Sequence, residues 1–222
     1  HTRCSRDWSS DVCSSDLAFS SENWRRPPDE VSALMGLFLQ YLESEVNDMR
    51  EAGVRLRVIG DRSAFAPLLQ SRIDQAEKAT ATNHRLHLTI AANYGGQWDV
   101  LNAMRAWQTA NPGKNLQELD AQGLSAYLST ADLPDPELLI RTGGESRVSN
   151  FLLWQTAYTE LYFTDLHWPD FDAKALQKAL RWFEQRVRRF GRTDEQVLSA
   201  QPVTSPIDPS DPPAFLPVAK IS

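Results

Sequence analysis

The chain has 222 residues, a formal net charge of −6, 41% hydrophobic residues and 23% charged residues. This composition is typical of a globular protein with one sizeable core, and the acidic balance argues against a general nucleic-acid binder, which would carry a basic face. The run VSALMGLFLQYL is shorter than the roughly 20 apolar residues that a membrane-spanning helix needs. These features exclude an integral membrane protein of the helical kind over this stretch and leave at most a peripheral membrane contact.

Helices and strands are predicted to alternate along the chain. Pro27, Pro28 and two acids open a helix that continues with apolar residues at spacings of three and four, and Gly53 ends it. VRLRVIGD predicts a strand, FAPLLQSRIDQAEKAT a helix and LHLTIAANYGG a strand. Helices are predicted over QWDVLNAMRAWQ and NLQELDAQGLSAYL, a strand over ELLIRTGG, a helix passing into a strand over NFLLWQTAYTELYF, and a last helix before Gly191. This order predicts an α/β domain whose largely parallel central sheet is flanked by helices.

The two ends of the chain differ in composition from its middle. Residues 1–17 are rich in Ser and Asp and show no period that suits a helix or a strand, whereas AFS after Leu17 is typical of a strand end. Residues 201–222 are rich in Pro and Ser and predict a disordered tail. The domain is therefore placed at residues 18–200. Both cysteines, Cys4 and Cys13, precede it, so no disulfide framework is predicted, which fits a reducing, cytoplasmic location.

The segment IRTGGESRVSN contains the first candidate binding residues. It follows a short apolar strand, so its polar side chains emerge at the carboxyl end of the sheet, where open α/β sheets place ligands. Arg141, Arg147 and the Ser149 hydroxyl, together with a glycine pair and backbone amides, suit a phosphate or diphosphate. The alternative is an ordinary turn whose arginines pair with Glu145 or surface acids.

Two further groups of polar residues follow strands. In SSENWRRP, four small polar side chains with Trp24 beside them could position a ligand; alternatively, Asn23 or a serine caps backbone amides. NYGG, from Asn93 to Gly96, is either a second polar loop or a tight turn. Glu160, among aromatic residues, suits either a Mg²⁺ ligand or an acid paired with an arginine. The four histidines lack the spacing of metal ligands.

Taken in order, AFSSENWRRPPDEVSALMGLF, LRVIGD, LTIAANYGG, IRTGGESRVSNFLLWQTAYTELYFTDLHWPDF and RRFG resemble the cis-prenyltransferases, in particular the bacterial members that make undecaprenyl diphosphate. The resemblance runs from Ala18 to about Thr193. It implies a Mg²⁺-dependent homodimer that condenses isopentenyl diphosphate onto farnesyl diphosphate to give a polyprenyl carrier lipid for cell-wall glycan synthesis. It also implies an apolar tunnel beside the sheet for the growing chain.

The resemblance also implies roles for individual residues. Arg141, Arg147, Val148 and Ser149 match the site for the diphosphate of isopentenyl diphosphate, and Glu160 matches a Mg²⁺ ligand. Asn23 matches the position with a part in removing the proton from isopentenyl diphosphate. The other matches are in the substrate-contacting loop and along the tunnel: Ser20, Ser21, Glu22, Trp24 and Arg26 in the loop, and Ala18, Val54 and Leu86 in the tunnel.

Three departures from the family pattern are visible. Ser146 stands where relatives often have His, and Gln97 replaces a frequent Arg. Family members also begin with a strand, a motif like MDGNGRW, a first helix and a second strand, and nothing before Ala18 matches these. DWSSDVCSSDL instead resembles a translated sequencing adapter, so residues 1–17 are interpreted as a non-native leader on a truncated domain. We then expect little activity from this chain alone. The alternative is a non-catalytic partner subunit of a two-subunit enzyme.

Overall fold

In the computed structural model, the backbone is described for residues 12–186 and 218–221, and side chains for residues 13–186. The strands in this part of the chain are β1 Val12–Ser20, β2 Val54–Ile59, β3 Leu86–Tyr94, β4 Leu138–Arg141, β5 Glu160–Phe163 and β6 Val218–Ile221. The helices are α1 Pro28–Glu51, α2 Pro67–Thr80, α3 Gly96–Ala110, α4 Ala121–Ser125 and α5 Ala173–Glu184. None of these helices has the length and apolar character to cross a membrane.

The strands form one parallel sheet in the order β2-β3-β1-β6-β4-β5. Alternate residues of each strand enter different cores, because side chains in a strand point to opposite faces in turn. On β3, Ile90 and Ala92 pack in a core with α1 and α2, whereas Ala91 packs in a second core with Phe151. Buried Leu138 and Ile140 of β4 pack against α5. The predicted α/β architecture with a parallel sheet is confirmed.

The helix predicted after Pro28 is also confirmed, with nearly the predicted bounds. Pro28 is its first residue, acids occupy its first turn, and Gly53 follows its end with a φ of 75° that favours glycine. Its residues Leu42 and Met49 are buried against α2 and the sheet. The apolar face predicted from spacing is therefore the face that covers the sheet.

The sequence predicts no strand before Leu17, and this prediction is wrong for residues 12–17, which the structure describes. β1 begins at Val12 and pairs with β3 from Val12↔Leu86 to Ser20↔Tyr94. The physical reason is that the buried side chains of Cys13, Leu17 and Phe19 supply enough apolar contact to hold a strand between two neighbours. Residues 1–11 lie outside the described residues, and the interpretation of residues 1–17 as a leader stays a prediction.

The predicted disordered tail is wrong at its last residues. Val218–Ile221 forms β6, which pairs with β1 on one side and with β4 on the other. Four residues are enough here because the two neighbours satisfy both edges of the added strand. The rest of the predicted tail lies outside the described residues, as does the predicted end of the last helix at Gly191.

Two predicted helices are shorter than expected or absent. NLQELDAQGLSAYL contains a 3-10 turn, Leu116–Glu118, and only a short α4. Residues 150–159 form bends and turns rather than a helix before β5. Asn150 and Leu152 have φ values of 60° and 43°, which a right-handed helix excludes. The apolar period of NFLLW reflects burial of Phe151 and Leu152 in a loop.

The side chains of α2 and its flanking residues cover the outer edge of β2. The backbone amide of Leu56 donates to Thr80 Oγ1 at 3.0 Å, and that of Val58 donates to Glu77 Oε1 at 2.7 Å. The carbonyl of Val54 accepts from Asn83 Nδ2 at 2.8 Å, and that of Val58 accepts from Arg62. This edge of the sheet is therefore hydrogen-bonded to the chain's own side chains.

A buried carboxylate connects α3 to two loops. Asp99 is 1% exposed; its Oδ2 accepts from the Tyr94 hydroxyl at 2.8 Å and from Gln155 at 3.2 Å. Its Oδ1 accepts from the amide and hydroxyl of Ser129. Burial raises the pKa of the Tyr94 hydroxyl far above its ordinary value, and the negative charge of Asp99 raises it further. The Tyr94 hydroxyl therefore keeps its proton and donates it in the hydrogen bond to Asp99.

Replacing Tyr94 with phenylalanine is expected to lower the free energy of unfolding by about 1.5–3 kcal/mol, the usual contribution of a hydrogen bond to a charged group. The change should appear in urea unfolding as a lower midpoint with an unchanged slope. Tyr158→Phe, at a side chain that is 76% exposed, is the control. Equal midpoints for the two variants would contradict the role of the Tyr94–Asp99 bond.

Candidate functional site

Three polar segments meet at the carboxyl edge of the sheet. A 3-10 turn, Ser21–Arg25, follows β1, Gly95 and the start of α3 follow β3, and residues 142–150 follow β4. Because all the strands are parallel, these segments lie at the same edge. The prediction that IRTGGESRVSN emerges at the carboxyl end of a strand agrees with the structure, where its polar residues follow β4.

Arg141 ends β4 and is a buried charged group of this edge, at 8% exposed. Its Nη1 donates to the backbone carbonyl of Arg147 at 2.8 Å and to the Ser149 hydroxyl at 2.7 Å. Its Nε is buried and has no hydrogen-bond partner among the described residues. Burial lowers the pKa of Arg141, the charge of Arg147 lowers it further, and Glu145 partly offsets both. A buried cation with an unused donor is suited to bind an anion.

Arg147 and Ser149 lie on the loop that Arg141 holds. Arg147 is exposed and paired with Glu145, which is the surface pairing that the sequence left open as an alternative. Ser149 has a φ of 46°, and Gly143 and Gly144 have φ of 84° and 74°. For a non-glycine residue such as Ser149, a left-handed backbone persists only where the surroundings hold it, and such residues cluster at binding sites. Val148 packs on the second core beside Phe151.

The Ser21–Arg25 turn uses part of its polar groups for its own structure. Oδ1 of Asn23 accepts from the Ser20 amide at 2.7 Å, as a cap does. The catalytic role of Asn23 stays a prediction. Partial burial raises the pKa of Glu22, but hydrogen bonds from Asn150, its own backbone, Ser20 and Ser21 together lower the pKa below its ordinary value. Glu22 is thus held as a carboxylate at this edge.

Trp24 covers the core beneath the turn. Its ring meets Phe19 edge to face at 5.2 Å and lies 6.5 Å from Phe65. Its Nε1 donates to Asn93 Oδ1 at 2.7 Å, and Asn93 Nδ2 donates to the Asp61 carbonyl at 2.7 Å. These aromatic rings form an apolar wall beside the polar loops.

Arg26 lies just past the turn and pairs with Glu30 at 2.7 Å, where both side chains are about half exposed. The pair is an i,i+4 contact at the start of α1, and exposed pairs of this kind add little stability. Arg26 therefore remains available to exchange Glu30 for a substrate group, and its binding role stays a prediction.

Asn150 and Asn93 are parts of this edge that were not predicted from the sequence. Asn150 Nδ2 donates to Glu22 Oε1 at 2.8 Å, its Oδ1 accepts from the Gln97 amide at 2.9 Å, and its carbonyl accepts from the Gly96 amide at 2.6 Å. The preferred interpretation of NYGG as a tight turn is wrong: Asn93 and Tyr94 end β3, and Gly96 already begins α3. Asn93 contacts Trp24. The sequence signal available for Asn150 was its place directly after Ser149, in the segment IRTGGESRVSN.

Gly95 sits between two of the loops. A Cβ atom there would lie 2.7 Å from both Asn150 Nδ2 and Ser21 Oγ. Gly95→Ala is therefore expected to push the Ser21–Arg25 turn away from residue 150 and to cost about 1–3 kcal/mol of stability. Thermal unfolding measures the loss. Gly36→Ala is the control, because a Cβ there meets no described atom within 4 Å and alanine favours the helix; a Gly95→Ala variant as stable as Gly36→Ala would contradict the crowding.

The structure does not bring Glu160 to this edge. Glu160 is the first residue of β5 and pairs with Leu138, whereas Arg141 pairs with Phe163 at the other end of the two strands. Three residues of strand separate the two levels by about 10 Å. Within the described residues, no group of three or more His, Cys, Asp or Glu side chains could hold a metal ion. Glu160 as a Mg²⁺ ligand therefore stays a prediction.

The three predicted tunnel positions are distributed over the height of the sheet. Val54 and Leu86 pair at the amino ends of β2 and β3, and Leu86 also pairs with Val12. Ala18 lies six residues further along β1, which corresponds to about 20 Å. Val54 packs against the core between α1, α2 and the sheet. The tunnel itself stays a prediction.

The parallel sheet, with a buried arginine at the carboxyl end of β4, defines an α/β protein. Residues 13–191 match the family described as "Putative undecaprenyl diphosphate synthase". The chain is 56% identical over 185 residues to an isoprenyl transferase of Nitrosomonas europaea, covering 83% of this chain and 70% of the relative. The chain belongs to this family, the cis-prenyltransferases.

Two further relatives agree with this assignment. The ditrans,polycis-undecaprenyl-diphosphate synthase ((2E,6E)-farnesyl-diphosphate specific) of Pseudomonas aeruginosa is 56% identical over 183 residues, 82% of this chain and 73% of that protein. The crystal structure of lavandulyl diphosphate synthase from Lavandula x intermedia in complex with dimethylallyl diphosphate has a TM-score of 0.77 and 34% identity. The match covers 82% of this chain and 79% of that one.

Proposed function

We propose that the protein serves cis-prenyl transfer, in which isopentenyl diphosphate units are condensed onto farnesyl diphosphate to give undecaprenyl diphosphate. The observation that carries the proposal is Arg141, a buried guanidinium whose Nε has no partner among the described residues, at the edge of the sheet where ligands bind. The relatives named above support the reaction class. In the reaction the allylic carbon loses its diphosphate, a carbon–carbon bond forms, and isopentenyl diphosphate loses a proton.

The described residues account for the isopentenyl diphosphate half of this site. Arg141 supplies the unused Nε donor to the diphosphate, and the Ser149 hydroxyl, 2.7 Å from Arg141 Nη1, supplies a second donor. Arg147 exchanges Glu145 for the diphosphate, since its side chain is 64% exposed and free to turn. Together these groups hold the diphosphate while the isoprene end faces the aromatic rings.

The apolar wall beside the turn supports the chemistry in a second way. Phe19, Trp24 and Phe65 exclude water from the side of the site that faces the first core. A carbon with cationic character is captured by water unless water is excluded. The proposed product chain then runs from Ala18 toward Val54 and Leu86 along α1.

Mg²⁺ and a homodimer are part of the proposal. Mg²⁺ keeps several waters and is usually bound through one or two carboxylates together with substrate phosphates, so it would arrive with the diphosphate rather than occupy a protein cage. For the dimer, β5 is an edge strand of the sheet, and Leu161 within it is exposed, as are Tyr158 and Leu166 close to it in the chain. Sedimentation of the purified chain tests the dimer.

The test of the function begins with binding of isopentenyl diphosphate, because the proposal rests on Arg141 as a diphosphate-binding residue. Isothermal titration of the purified chain with isopentenyl diphosphate should show saturable binding that competes with inorganic pyrophosphate. Product formation is then measured with farnesyl diphosphate, labelled isopentenyl diphosphate and Mg²⁺ as butanol-extractable label. Absence of binding would overturn the proposal, and activation of a separate catalytic subunit would favour the partner-subunit alternative.

A further inference from the structure

Asn150 connects the polar segments of the carboxyl edge to one another. Its side chain donates to Glu22 on the turn after β1 and accepts from the Gln97 amide at the start of α3. Its own carbonyl accepts from the Gly96 amide at 2.6 Å. It does this from a left-handed backbone conformation with a φ of 60°. One residue of the β4 loop is therefore bonded to both the turn after β1 and the first residues of α3.

The loop is anchored on both sides of Asn150. On one side, Ser149 accepts from the buried Arg141 guanidinium. On the other, Phe151 and Leu152 are 0% and 2% exposed in the second core. The position of Asn150 is thus fixed by the core, and its side chain transmits that position to Glu22 and Gln97.

We propose that Asn150 is a positioning residue that joins the Ser21–Arg25 turn and the start of α3 to the 142–150 loop as one rigid unit, and so fixes the Ser21–Arg25 turn beside Ser149 and Arg141 for a diphosphate. The inference rests on the proposed function for the identity of the ligand, and it assigns Asn150 no contact with that ligand. Lowering of the Glu22 pKa by the Asn150 hydrogen bond agrees with the contact.

The polarity of the Asn150–Glu22 contact provides a sharp test. Asn150→Asp keeps an acceptor for the Gln97 amide but turns a carboxylate toward the Glu22 carboxylate. Like charges at hydrogen-bond distance repel, so the turn after β1 should move away. In the Glu22→Gln background, the amide at position 22 can donate to the new carboxylate, so the same substitution should do less harm. Residues in direct contact show such coupling, whereas independent residues do not.

The experiment measures binding of isopentenyl diphosphate by isothermal titration. Asn150→Asp is expected to weaken binding about tenfold in the wild-type background and no more than about twofold in the Glu22→Gln background. Asn150→Gly removes the side chain while tolerating the left-handed φ, and should also weaken binding about tenfold. Asn111→Gly is the matched control, since the Asn111 side chain donates within the end of α3, to the Trp107 carbonyl. Equal losses in both backgrounds, or wild-type affinity of Asn150→Gly, would overturn the proposal.

A second readout separates this inference from the proposed function. In ¹H–¹⁵N spectra, Asn150→Gly should move the Gln97 amide proton upfield, because it loses its acceptor, and should leave the amides beside Asn111 unchanged. If the wild-type chain does not bind isopentenyl diphosphate, the proposed function fails whatever the spectra show. If it binds and the Gln97 amide does not move, the positioning role of Asn150 fails alone.

Discussion

Replacing Arg141 with alanine is expected to weaken binding of isopentenyl diphosphate about a hundredfold. The guanidinium is 8% exposed, its Nε has no partner among the described residues, and it also holds Ser149 through Nη1. Loss of a charge-assisted hydrogen bond costs about 1.5–3 kcal/mol, or roughly ten- to a hundredfold, and the displaced Ser149 removes a second donor. Isothermal titration with isopentenyl diphosphate and with inorganic pyrophosphate measures the effect.

Arg147→Ala tests the ranking of the two arginines. The Arg147 side chain is 64% exposed and already has Glu145 as a partner, so its loss should cost less, about tenfold. Arg57→Ala, which removes an exposed pair between Arg57 of β2 and Asp132, is the control and should bind normally. A smaller effect at Arg141 than at Arg147 would contradict the central place given to the buried residue.

Gly60→Ala is expected to destabilise the fold by about 3 kcal/mol, more than Gly113→Ala, because two causes act together at Gly60. A Cβ at Gly60 would lie 2.1 Å from the Ala92 carbonyl oxygen and 3.0 Å from the Asn93 carbonyl oxygen, both backbone atoms of β3. Its φ of 119° is also unfavourable for alanine. The strands would have to part where the Asp61 amide donates to the Asn93 carbonyl at 3.1 Å.

Gly113→Ala separates the two causes of that loss. Gly113 has a similar φ of 96°, but a Cβ there meets no described atom within 4 Å. Its substitution should cost only the free energy of the unfavourable backbone conformation, about 1–2 kcal/mol. Urea unfolding of both variants gives the comparison. A Gly60→Ala protein that unfolds at the same urea concentration as Gly113→Ala would show that the close approach of Gly60 to β3 is not needed.

The elements predicted well are those whose signals are local. The helix after Pro28 has its entry residues, its apolar period and Gly53 at its end, and the structure has the same helix. β2 and β3 are predicted from their alternation and apolar runs. The position of the 142–150 loop is predicted from a strand that ends in Arg141 and is followed by two glycines, since topology alone sends strand ends to one edge.

The elements predicted badly depend on contacts between distant residues. The apolar spacing of Phe151 and Leu152 suggests a helix, but the loop reaches its position through left-handed residues that spacing does not reveal. β6 is four residues long and follows a Pro-rich stretch. It forms a strand because it pairs with β1 on one side and with β4 on the other. Asn150 bonds to Glu22, 128 positions away in the chain. A local sequence pattern cannot reveal a hydrogen-bond partner so distant in the chain.

The covered edge of β2 has a consequence for assembly. A parallel sheet has two outer strands, and each can recruit a strand from another molecule through unpaired backbone groups. At β2 the side chains of Thr80, Glu77 and Asn83 already occupy these groups. Of the two outer strands in the described part of the chain, only β5 is then left to pair with a strand of another molecule. One such contact would occupy the β5 edge of both molecules. Any pairing of two sheets through β5 would therefore give a closed pair, and it would leave no second edge from which a fibre of sheets could extend.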